Sequence, residues 1–205
     1  MTGLILKDLL YLKRTARVLV ALAVFYLIMS LTASSADAAS GILAGTIALL
    51  TVILSINAFA YDELAKWRMY EGSLPVSKNK IVLARYLLAL IFTTGLTLLS
   101  LVLELFAGLT QGALLSLLAS WGTALLLCAV LFPFVYKFGT QKARLILILV
   151  ALLPTFGIAL LKKLNLPAPN EAVLRSWLDL FPLLAAAAFA LSCWISCRIY
   201  AKREV

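Results

Sequence analysis

Long apolar runs alternate with short polar breaks along almost the whole chain. A helix that crosses a bilayer needs about 20 mostly apolar residues, and the runs 18–36, 41–61, 82–107, 113–136, 143–161 and 180–198 meet that length. The pattern predicts an all-α polytopic membrane protein, with a single transmembrane domain over residues 1–205 and six spanning helices. Asp37, in a Ser/Ala-rich turn, closes the first run, and Gly108, Gln111 and Gly112 separate the third from the fourth. Pro133 falls in the last turns of the fourth run and Pro154 in the fifth, where the missing amide hydrogen predicts a kink or a stop. The third run exceeds what a bilayer requires and is expected to tilt or project. Before the first run, Leu4, Ile5, Leu9, Leu10 and Leu12 fall on one helical half, with Lys7, Lys13, Arg14 and Arg17 interleaved. Residues 1–17 are expected to lie in the membrane interface as an amphipathic helix, retained rather than cleaved as a signal peptide.

Composition removes the soluble alternative. Of the 205 residues, 64% are hydrophobic and 13% charged, against about 45–50% and about 25% in soluble domains. The net charge of +9 could point to nucleic acid, but its carriers sit in the breaks between apolar runs, where Lys and Arg set membrane orientation. With six spans, 15 basic residues fall on the side that holds both termini, the 61–86 segment and the 137–144 loop. The opposite side holds three, Lys162, Lys163 and Arg175. The expected arrangement is a multi-pass protein of the plasma membrane with both termini cytoplasmic. Residues 162–179 then form the one sizeable outer loop, with Asn170 placed to cap a short helix and Trp177 to anchor it at the interface.

The longest polar break, residues 61–86, carries five basic and three acidic residues. Asp62 to Tyr70 has helical composition, with Asp62 and Glu63 at its amino end and Asp62 spaced to pair with Lys66. Trp67 and Tyr70 give it an aromatic edge. Gly72 ends the helix, Ser73-Leu74-Pro75 forces an extended turn, and Ser77 can cap the helix that follows. The segment 62–80 thus reads as a bent cytoplasmic helix between spans two and three. Two roles fit it: docking into a groove on a soluble partner, or lying on lipid headgroups. The mixed charge favours docking, because a helix that binds only anionic lipid is more uniformly basic.

Candidate chemistry is sparse. The chain has no histidine, which excludes Ser-His and Cys-His nucleophiles and HExxH metal sites. It has no GxxxxGK[ST] phosphate loop. Cys128, Cys193 and Cys197 all lie in apolar runs, without ligands to complete a metal site. The chain is therefore expected to be non-catalytic, with no metal or cofactor of its own. Glu104 is the one ionisable residue well inside an apolar run. A carboxylate there marks a substrate pathway, a proton-coupling site or an outer vestibule.

The run Tyr70-Glu71-Gly72-Ser73-Leu74-Pro75-Val76-Ser77-Lys78-Asn79-Lys80-Ile81-Val82-Leu83-Ala84-Arg85-Tyr86, preceded by the pair Asp62-Glu63, resembles the segment after the second span in small six-span permeases of ABC-2-type transporters. Leu6-Lys7-Asp8-Leu9 resembles the amino terminus of the same family, whose members include permeases of phenol-soluble modulin and bacteriocin exporters in bacteria. The resemblance implies an ATP-driven exporter of amphipathic or hydrophobic substrates, with small peptides as the best match. It implies a separate ATPase, present in two copies and carrying ATP and Mg, and a second permease copy forming a homodimer. It makes the 61–76 segment the coupling helix, with Asp62, Glu63, Lys66, Trp67, Tyr70, Leu74 and Pro75 as the ATPase-docking surface. The contending readings are a proton-coupled secondary transporter using Glu104 and a non-transporting membrane scaffold.

Overall fold

A computed structural model describes residues 36–71, 77–107, 113–146, 148–150 and 171–202, together with positions 7, 8, 10, 13, 17, 20–25, 27–29 and 32. All regular structure among the described residues is helical. The principal elements are α1 (Ala36–Leu64), α2 (Trp67–Glu71), α3 (Lys78–Ala107), α4 (Ala113–Phe138) and α5 (Glu171–Ala201). Four helical stretches are long and apolar enough to cross a membrane: Gly41–Leu64, Lys78–Leu105, Leu114–Phe138 and Leu180–Ala201. They correspond to the second, third, fourth and sixth apolar runs. The fifth run and the 1–17 segment fall largely outside the described residues, and of the first run a shorter apolar helix, Val20–Met29, is described.

Several helices reach further than their apolar cores. α1 begins at Ala36, ahead of the run that starts at Gly41, so Asp37 lies within a helical first turn. α4 passes through Pro133, and α5 passes through Pro182. An internal proline removes one backbone bond, and tight packing against neighbouring helices keeps such a helix intact. The helical stretch expected after Asn170 is the beginning of α5 itself, which continues unbroken to Ala201. Ser77 sits immediately before α3, and its carbonyl accepts from Lys80 N at 2.9 Å, as an N-terminal flanking residue does.

α4 is the central helix, packed most extensively against α5 and then α1. Small residues let the α4 and α5 backbones approach closely. A Cβ on Gly122 would meet the Phe181 ring at 2.9 Å. The main core gathers Phe59, Tyr86, Phe132, Tyr136 and Phe189, with Tyr86 edge-on to Phe132 at 4.7 Å and Phe59 edge-on to Tyr136 at 5.4 Å. The Tyr86 hydroxyl bonds both Ser192 Oγ and Ser196 Oγ at 2.7 Å, and Ser192 donates to the Ala129 carbonyl. That network ties α3, α4 and α5 together where hydrocarbon surroundings leave polar groups few other partners. The outward faces of α3 and α5 are leucine-rich and exposed, as helices facing lipid tails require.

Candidate functional site

The site is the elbow where α1 leaves the bundle. α1 continues through Asp62 and Glu63 to Leu64 and is stopped by Lys66, whose φ is +47°. This left-handed residue ends the helix as a glycine ordinarily would. Lys66 N bonds the Glu63 carbonyl at 3.1 Å, and Met69 N bonds the Lys66 carbonyl at 3.0 Å, which starts the single turn of α2. The break separates Asp62 from Lys66, so the helical spacing that would have paired them does not exist.

Asp62 turns into the bundle. It accepts from Lys7 Nζ at 2.7 Å and from Arg85 Nη2. Arg85 is only 6% exposed. Its Nη1 lies 3.0 Å from Asp8 Oδ2, close enough for an ion pair though not aligned as a hydrogen bond. Lys7 Nζ in turn lies 3.5 Å from Asp8 Oδ1. Two cations and two carboxylates thus alternate around one cluster joining the amino-terminal segment, α1 and α3. Aromatic faces close it: Lys7 Nζ stands 3.8 Å above the Trp67 ring, and the Arg85 guanidinium stands 4.8 Å from Phe59. Desolvation strengthens such cation–π contacts. Because each buried charge faces an opposite one, removing a single partner leaves an uncompensated ion, which costs about 3–5 kcal/mol.

Glu63 reaches the other way. Its carboxylate accepts from the Thr140 hydroxyl, and from the Thr140 backbone N at 3.4 Å. Thr140 begins the helical residues 140–146, just past Gly139 at φ +87°. The carboxylate therefore lies at a helix amino end, where negative charge is favoured. A Cβ on Gly139 would stand 3.1 Å from Glu63 Oε1. Asp62 thereby anchors the elbow to α3, and Glu63 anchors it to the corner after α4. Between the anchors lies a small cleft of about 50 Å³, walled by Phe59, Trp67, Ile81, Arg85, Tyr136 and Tyr200 among others.

The elbow's outer surface is different in kind. Leu64 is 80% exposed, Met69 74% and Tyr70 61%. Leu74 and Pro75 lie outside the described residues. The sequence-chosen residues therefore divide: Asp62, Glu63 and Trp67 face the bundle, while Lys66 and Tyr70 face out. Glu104 belongs to neither group and stands far up α3. Lys7, Asp8, Arg85 and Thr140 were not singled out as site residues. Lys7, Asp8 and Arg85 do occur within the two stretches that resemble the ABC-2 permeases, whereas nothing local marks Thr140. Among the described residues no group of three or more Cys, Asp or Glu could hold a metal ion.

No curated protein and no solved structure gives a significant match to this chain. A sequence model described as "ABC-2 family transporter protein" matches residues 3–201, nearly the full length. With four membrane-length apolar helices and a match across both the bundle and the elbow, the chain belongs to the ABC-2 transporter family and is a multi-pass membrane component of a transport system.

Proposed function

We propose that this chain is the permease subunit of an ATP-driven exporter, and that the elbow is its coupling element. Two permease copies and two ATPase subunits make the working unit, with ATP and Mg bound by the ATPases. Both termini and the elbow face the cytoplasm, in a six-span arrangement with an interfacial amino-terminal helix. The cargo is amphipathic or hydrophobic, a small peptide best of all.

The observation that carries this reading is the two-sided elbow. Its outer side presents Leu64, Met69 and Tyr70 to solvent, an apolar and aromatic set of the kind that anchors protein interfaces. Its inner side is tied by Asp62 to Arg85 on α3 and by Glu63 to Thr140 after α4. A push on the outer surface is thereby delivered to two spanning helices through charged bonds rather than through a loose loop. Lys66, Leu74 and Pro75 extend the docking face, while Asp62, Glu63 and Trp67 transmit from it.

The reading requires an ATPase with a Walker motif encoded beside this chain. Coexpressed with it, the wild-type permease should retain the ATPase through purification. The double variant Met69→Ala, Tyr70→Ala should lose most of that association while keeping its own melting temperature, because both side chains are exposed. Undiminished association of the double variant would sink the docking role.

A further inference from the structure

The inward face of α3 is a regular stripe: Val82, Tyr86, Ala89, Thr93, Ser100 and Glu104 are all buried, and Leu96 packs against the neighbouring core clusters. Steps of three and four residues keep these positions on one helical face. The opposite face, with Leu87, Ile91, Leu98 and Leu105, is exposed as lipid-facing surface. Glu104 is therefore turned into the bundle, not toward the lipid. It is 7% exposed, and among the described residues neither carboxylate oxygen has a hydrogen-bond partner.

Every other carboxylate among the described side chains is engaged: Asp8 and Asp62 by cations, Glu63 by Thr140. At about 1.5 Å per residue, Glu104 stands roughly 28 Å along α3 from Arg85, close to the roughly 30 Å thickness of the hydrocarbon layer. The charged cluster and Glu104 thus stand near the two ends of the inward face of α3. The hydroxyls between them are held on their own helix: Thr93 donates to the Ala89 carbonyl at 2.7 Å and Thr97 to the Thr93 carbonyl at 2.8 Å.

We propose that Glu104 is a substrate-binding group, accepting the ammonium or guanidinium of a cationic amphipathic cargo at the end of the bundle remote from the elbow. An ionised carboxylate this deeply buried requires a counter-charge, and the described chain supplies none, so the cation arrives with the cargo. The inference rests on the exporter reading and names the substrate class for it.

The test uses the full chain in lipid nanodiscs and an undecyl chain bearing a dansyl group at one end and an ammonium at the other. Energy transfer from the protein's tryptophans to dansyl reports binding, and the carboxylate-headed analogue is the control. Saturable binding of the ammonium probe is expected in the wild type. It should weaken at least about tenfold in Glu104→Gln and stay within about threefold in Glu104→Asp, as loss and retention of a buried charge pair dictate. An equal affinity of wild type and Glu104→Gln, or equal binding of both head groups, would overturn the proposal. So would transport driven by an imposed pH gradient without any ATPase and abolished in Glu104→Gln, which would assign the carboxylate to a proton. Since no ATPase enters the binding assay, a Glu104-dependent signal would survive failure of the exporter reading, and ATPase association would survive failure of this one.

Discussion

Arg85 and Glu104 lie on one helix, both ionisable and both more than nine-tenths buried, yet their surroundings are opposite. Arg85 is held by Asp8 and Asp62 and lies against Phe59. Among the described residues Glu104 has no partner at either oxygen. A buried ion with its full complement of partners belongs to the structure, because removing a partner is what costs energy. A buried ion without partners lowers stability and persists where it serves a ligand or a proton. One end of α3 is therefore built as a joint, and the other carries the carboxylate proposed to receive cargo.

The largest expected effect breaks the joint. Arg85→Leu leaves Asp8 and Asp62 facing each other and should cost about 3–5 kcal/mol, read as a marked drop in melting temperature in nanodiscs. The matching change at the other end, Glu104→Gln, should leave melting unchanged or raise it, since no bond is lost. If the two variants melted alike, the contrast between the ends would collapse.

A smaller effect is expected at the elbow's hinge. Lys66 occupies left-handed backbone, which costs a side-chain-bearing residue about 1 kcal/mol or more, so Lys66→Gly should raise stability by up to about 1 kcal/mol. A loss of stability on that change would show that the Lys66 side chain carries weight beyond its backbone geometry.

Much of this was legible in the sequence because the bilayer demands long apolar runs, and 64% hydrophobic composition leaves little ambiguity. Asp62 and Glu63 stood out as an acidic pair, and Glu104 as a lone carboxylate, from one-dimensional pattern alone. Their roles were not readable in the same way. Asp62 was expected to pair with Lys66 by helical spacing, but the helix breaks between them, and Asp62 reaches Lys7 and Arg85 instead. Those partners lie 55 and 23 residues away in the chain, a separation that no local period encodes. The Glu63–Thr140 bond, across 77 residues, is hidden for the same reason. Pro133, expected to kink or stop the fourth run, does not stop it: α4 continues to Phe138, packed against α5 and α1.

The central claim is that the elbow's inner anchor transmits what its outer face receives. Asp62→Asn removes the charge that holds Arg85 while leaving Met69 and Tyr70 in place. The decisive measurement is permease-stimulated ATP hydrolysis by the purified complex, read beside ATPase association. The account predicts that Asp62→Asn retains the ATPase but loses stimulation by about tenfold, within the usual range of a coupling free energy. Stimulation equal to that of the wild type in a complex that forms normally would contradict it.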